Sequence, residues 1–170
     1  MDSDSRERLL RNYYHARKTW EAWCFVNNIG LDPRRPEVRS TVEQNEFLSY
    51  ARFILLKDLH IELYKILRDR KTSADNIFFH LRKLDNEESV KLLNLLKKYN
   101  GTISSITKTR DKLYAHLDPD YENSFESIPI VYFEYLFNII EDSIIALGFR
   151  DELMKLLKTI PSRDELNLHI

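Results

Sequence analysis

The chain has 170 residues, 43% of them apolar, and a formal charge of −1. That length and apolar content suit one domain with a real core. The near-neutral balance excludes a molecule that holds polyanions or membrane surfaces by overall charge, so any nucleic-acid contact must come from a local patch.

A single cysteine, Cys24, excludes an internal disulfide framework and a cysteine-based zinc site, and it suits a reducing cytosol. The opening residues, MDSDSRER, are charged and polar, unlike a secretory signal. The longest apolar runs, such as FILL at 53–56, are far too short to cross a bilayer. A cytoplasmic protein with no membrane partner is the expectation. Only three glycines and five prolines punctuate the chain, and the prolines fall between periodic segments. Sheet proteins need more turns than that, so a few long helices are expected.

Residues 4 to 29 read as the first helix, with Leu9, Leu10, Tyr13, Tyr14, Trp20, Cys24 and Val26 at helical spacing and Gly30 as its stop. LDPRRP is a loop. A long second helix is expected from about Glu37 to Arg70, with Ser40 as a place where it can break. Its apolar stripe includes Phe47, Leu48, Ala51, Ile54, Leu55, Leu59, Leu63, Ile66 and Leu67. At about 1.5 Å per residue it spans roughly 50 Å and serves as the backbone of a bundle.

Ser73 can cap a short helix, Ala74 to Leu84. Asp85 with Glu88 resembles a capping box for the next, Asn86 to Tyr99, whose buried side is Leu92, Leu93, Leu95 and Leu96. Asn100–Gly101 is a turn or kink, and Thr102 restarts a helix that Pro119 ends near His116 or Leu117. Residues 118 to 128 form an acidic loop. Another long helix, Pro129 to Leu147, is rich in aromatics and is stopped by Gly148. A short one, Arg150 to Thr159, follows. The fold class is all-α: an up-down helical bundle of about five to six helices around one long central helix. Residues 1–170 form a single domain. Residues 161–170 are a tail that Ser162 with Glu165 can cap into one last turn or that can stay disordered.

One stretch carries chemistry: Thr107 to Asp120, TKTRDKLYAHLDPD. An Arg followed by a His after a gap of four to six residues is weak alone. This chain has it three times, at Arg8–His15, Arg110–His116 and Arg163–His169. Only Arg110 is followed directly by an acid, Asp111, and only His116 sits at a helix end, between Ala and Leu-Asp-Pro.

The string RDKLYAHLD resembles the motif of the HEPN superfamily of small all-helical ribonuclease-type domains, and most closely its type-U abortive-infection branch. LYKILRDRKTSADNIFFHLRKL is similar to the helix–loop–helix that precedes the motif there. The resemblance covers roughly residues 45 to 120. It implies that Arg110 and His116 are the catalytic pair, with Asp111 in the place of the polar residue after the Arg. It also implies metal-independent RNA cleavage by 2′-OH attack, with no cofactor and no metal, in a homodimer. RNA and a cognate antitoxin protein are the implied partners. The residue types suit the task. His moves protons near neutral pH. Arg stabilises charge on phosphate oxygens through paired donors. Some HEPN proteins carry a tyrosine two residues after the His, where a partner nucleotidyltransferase attaches AMP. This chain has Asp118 there.

Six residues at about 100° each leave Arg110 and His116 roughly 120° apart on a regular helix. Two copies of the helix facing each other would line one cleft with two Arg and two His. Lys108, Lys112 and Tyr114 are candidates for substrate binding, Tyr114 lying one turn after Arg110. Six basic residues and one acid fall between Lys91 and Lys112, either a phosphate-holding ridge or a solvated helix face. Asp58 and Glu62, one turn apart, either order the motif from across the bundle or form a solvated edge. His15, His60 and His80 show no metal-ligand spacing. Trp20, Trp23 and the aromatics of 132–137 read as core or dimer interface ahead of base-stacking surfaces. Two rival readings remain: a non-catalytic helical module of the same fold that binds RNA, a nucleotide or a protein, and a structural dimer in which Arg110 and Asp111 form only an ion pair.

Overall fold

Two long apolar stripes in the sequence, one over residues 9–26 and one over residues 47–67, set the frame. The computed structural model describes residues 3–31, 34–70, 76–111 and 128–166, and among them all regular structure is helical. The helices are α1 (Ser3–Val26), α2 (Pro36–Gln44), α3 (Glu46–Leu67), α4 (Ile77–Leu84), α5 (Glu87–Lys98), α6 (Asn100–Thr109), α7 (Ile130–Ala146) and α8 (Arg150–Leu157).

In α1, Leu9, Tyr13, Ala16, Trp20 and Cys24 recur every three or four residues and are fully buried. They pack along α3, the most extensive helix pairing in the molecule. The α3 contribution is Leu59, Leu63, Ile66 and Leu67, and the rest of the core comes from α4, α5, α6, α7 and α8. None of the described helices is long and apolar enough to cross a membrane.

The expected single helix over 37–70 is two helices. Asn45 adopts an extended conformation between them, and its side chain accepts from the Leu48 N–H at 3.1 Å, capping α3. An asparagine that satisfies a new helix start outcompetes one more residue of helix. The break lies at Asn45, not Ser40. It also changes what the stripe buries. Val38 and Val42 of α2 cover the side of α3 that carries Leu48 and Leu55. Phe47 (77% exposed) and Ile54 stay in solvent.

Other boundaries moved for similar reasons. Asn28, at φ 54°, ends α1 in place of Gly30, with Ile29 N–H bonded to Cys24 O and Asn28 N–H to Phe25 O. The same pattern ends α7 at Gly148, where Phe149 N–H bonds Ile144 O. Asn76 caps α4, while Ser73 lies outside the described residues. The capping box of α5 is Asn86 with Ser89, one position after the expected Asp85 and Glu88. Leu95 of α5 is exposed, so the buried side rests on Leu92 and Leu96. Gly101 sits inside α6, and the joint falls at Tyr99.

Charges close the far side of the core. Arg163 bonds Glu21 (2.8 Å) and Glu134 (2.9 Å). Arg17 sits among Glu21, Glu134 and Glu141. The Trp20 indole N–H donates to Glu134 at 3.0 Å, and the Tyr13 hydroxyl to Glu141 at 2.6 Å. These bonds let two large aromatics lie buried without an orphaned donor.

Leu63 is fully buried between α1 and α3. Leu63→Ala should lower unfolding stability by about 2–5 kcal/mol, read from urea denaturation. His60 is buried against Phe133 with Nδ1 bonded to Leu56 O at 2.7 Å. Burial pushes its pKa below the ordinary value of 6.5. The neutral ring is therefore the stable one in the fold. Its contribution is complete above pH 6.5 and is lost as pH falls toward the depressed value. Stability measured from pH 7 down to 5 should drop, and His60→Gln should flatten that drop.

Candidate active site

The site begins where α6 runs out against the end of α3. Ile103 and Ile106 are buried on that side and hold α6 in place, and Thr109 is buried at its last position. Arg110 and Asp111 continue the helix in π geometry. Helices depart from α geometry in this way most often at functional positions.

Arg110 Nη1 donates to Asp111 Oδ1 at 2.8 Å, with both side chains about one-third exposed, at 33% and 39%. Its guanidinium lies 4.4 Å from the centroid of the Tyr64 ring. Tyr64, in the last turn of α3, is only 6% exposed and cannot swing away. The same ring carries Arg68 at 4.9 Å, and its hydroxyl accepts from Arg70 at 3.1 Å. A planar guanidinium stacked on an aromatic face keeps its in-plane donors pointing outward, toward whatever approaches. The exposed Arg110–Asp111 pair itself contributes little stability, at most about 1 kcal/mol.

Of the six expected site residues, Arg110, Asp111 and Lys108 are described. Arg110 and Asp111 are brought together at the rim, and Lys108 is exposed two residues earlier on α6. His116, Lys112 and Tyr114 lie outside the described residues. Lys91 pairs with Glu87 across one turn of α5 at 2.7 Å, an ordinary solvated helix edge. Asp58 accepts from Thr19 of α1 at 3.1 Å and so ties α3 to its neighbour, while buried Glu62 bonds Lys65 of its own helix at 2.5 Å. His60 and His80 are buried and His15 is exposed. Among the described residues, no three His, Cys, Asp or Glu side chains converge as a metal site would require.

Sequence reading missed Tyr64 and its arginines. The available signal was the RDR run at 68–70 after an apolar stripe ending in Tyr64. In the sequence that run marks a helix end and part of the helix–loop–helix before the motif, with nothing to tie it to Arg110.

The AbiU2 family model of HEPN domains matches residues 4–144. The chain belongs to the AbiU2 family, a HEPN-type abortive-infection family. The match takes in α1 through most of α7 and the whole of 107–120, far more than the 45–120 stretch on which the resemblance rests. No curated protein and no solved structure matches the chain. Tyr64, Arg68 and Arg110 all lie inside the region that matches AbiU2.

Tyr64 can be tested by separating ring from hydroxyl. Tyr64→Phe keeps the stacking surface and loses one hydrogen bond, so it should lower stability by about 1 kcal/mol. Tyr64→Leu also removes the face beneath the Arg68, Arg70 and Arg110 guanidinium groups and should lower it by about 2–3 kcal/mol. Equal urea midpoints for the two variants would show that stacking on this ring contributes nothing.

Proposed function

We propose that this AbiU2 protein is an endoribonuclease toxin of a defence or toxin–antitoxin system, acting as a homodimer. The observation that carries the reading is the placement of Arg110. It stands partly exposed at the end of α6, oriented by a buried aromatic ring, in a chain whose HEPN match covers the following His116.

The chemistry follows from the residue types. His116 takes the proton from the ribose 2′-OH. The 2′-oxygen attacks the adjacent phosphorus, and the bond from phosphorus to the 5′-oxygen breaks. The second copy's His116, protonated, gives its proton to that leaving oxygen. The products are a 2′,3′-cyclic phosphate and a 5′-hydroxyl, and no metal is needed. Arg110 stabilises the charge that builds on the non-bridging oxygens. Asp111 fixes the guanidinium that does so, while Lys108, Lys112 and Tyr114 flank the strand. A dimer brings two such sets into one cleft, which answers the roughly 120° separation of Arg and His on a single regular helix.

Exposed apolar surface supports self-association. Phe47, Tyr50, Phe53 and Ile54 line one face of α3 in solvent, and Ile130, Val131, Tyr132 and Tyr135 do so at the start of α7. Contiguous apolar surface on a water-facing helix is characteristic of a contact with another protein. A cytoplasmic location and a cognate antitoxin complete the proposal. One rival is a HEPN module that binds RNA, a nucleotide or a protein without cutting, and another is a structural dimer in which Arg110 and Asp111 form only their ion pair.

The decisive measurement is cleavage of total RNA in EDTA. The wild type should leave 2′,3′-cyclic phosphate ends. His116→Ala should reduce the rate at least 100-fold, and Arg110→Ala should do so comparably, both with unchanged circular dichroism. Wild-type rates in both variants would rule the nuclease out. RNA binding without cleavage by the wild type would establish the first rival.

A further inference from the structure

A hollow of about 260 Å³ opens where the first half of α1 meets the end of α3. Its wall carries Arg8 and Arg11 from α1, Lys65 and Arg68 from the end of α3, and Arg70 just beyond. Among the described residues, no carboxylate lines it, and the one aromatic on its wall is Tyr64. Among the described residues, no acid lies within ion-pair distance of Arg11, Arg68 or Arg70. Lys65 does bond Glu62. In a chain of net charge −1, this is a local concentration of one sign. Such clustering works against folding by self-repulsion and favours an anion in the space between.

The arginines are also pre-ordered. Arg68 stacks on Tyr64 at 4.9 Å, and Arg70 donates to its hydroxyl at 3.1 Å. Asn76, 2% exposed, donates to the Arg70 carbonyl at 3.0 Å and fixes that backbone. Guanidinium groups held in place lose little freedom on meeting phosphate, and their paired N–H groups match its oxygens.

Tyr64 joins this hollow to Arg110, whose guanidinium lies 4.4 Å from the same ring. The Arg68 and Arg110 guanidinium carbons therefore cannot be more than about 10 Å apart. One strand can meet both with nearby phosphates. Among the described residues, the charged groups on the wall are all cationic, and two asparagine amides stand with them. That combination suits a nucleic-acid backbone better than a peptide. We propose that the hollow is a phosphate-binding subsite for the RNA strand that passes Arg110. The inference rests on the RNA reading of the site and extends it to residues on α1 and α3.

Binding can be measured apart from cleavage, with a fluorescent 2′-O-methyl oligoribonucleotide that cannot be cut. Arg11→Gln with Arg68→Gln should weaken its binding at least tenfold and reduce the slope of log affinity against log salt by about 1.4, for two lost phosphate contacts. Exposed Arg11→Gln alone guards against a folding artefact and should show a part of the same loss. Lys91→Gln with Lys98→Gln on α5 should leave affinity and slope unchanged. Unchanged binding in the arginine variants would overturn the proposal, as would a loss confined to the α5 variant. Pyrophosphate binding without RNA binding would overturn the RNA assignment. RNA held through these arginines by a protein that cuts no RNA would support the subsite while removing the nuclease reading.

Discussion

The packing of α1 along α3 is the constraint on which the functional end of the molecule depends. One face of α1 is sealed by Leu9, Tyr13, Ala16, Trp20 and Cys24, and the facing residues of α3 are sealed as well. With both stripes committed, the polar side chains at the same end have one place to go. Arg8 and Arg11 project from α1 toward the hollow that Arg68 and Arg70 approach from the other side. Tyr64 is held between core and hollow, with its ring under Arg110. Apolar burial is non-directional. Here it acquires direction because both stripes have helical period and so fix which way the remaining faces look.

Much of this architecture was legible in the chain. The stripes of α1 and α3, the Gly148 stop, the start of α7 beside Pro129 and the all-helical class follow from period and punctuation. Helix joints were harder to read, because asparagines decide them. Asn28, Asn45, Asn76 and Asn86 each serve as a cap or a left-handed residue. The same residue type is common in solvated turns, so its local bonds are visible only once the backbone is placed. In the site, Arg110 and Asp111 stood out because they are adjacent in sequence. Tyr64 is 46 positions away from Arg110 by residue number, and no local pattern links them. Arginines that converge from α1 and α3 are likewise invisible to any window along the chain.

Charge is unevenly spread over this AbiU2 protein. The hollow beside Tyr64 gathers arginines, with no acid on its wall among the described residues. Across the core, Glu21, Glu134 and Glu141 gather round Arg17 and Arg163. The first cluster lines an open hollow. The second is saturated: burial works against the Arg163 charge, yet the Glu21 and Glu134 carboxylates outweigh it and hold its pKa above the ordinary value. Burial likewise pushes the Cys24 thiol next to that cluster up to about 12. An inert thiol and satisfied ion pairs mark a structural seam, in contrast to the arginine-lined rim.

That seam also ties distant parts of the chain together. Glu21 belongs to the first helix, and the arginine that completes its bonding lies 142 positions later. Without Arg163, Arg17 would be the one cation shared by three carboxylates, Glu21, Glu134 and Glu141. A cut between α8 and Arg163 would therefore take a counter-charge from between α1 and α7 while removing none of the described helices.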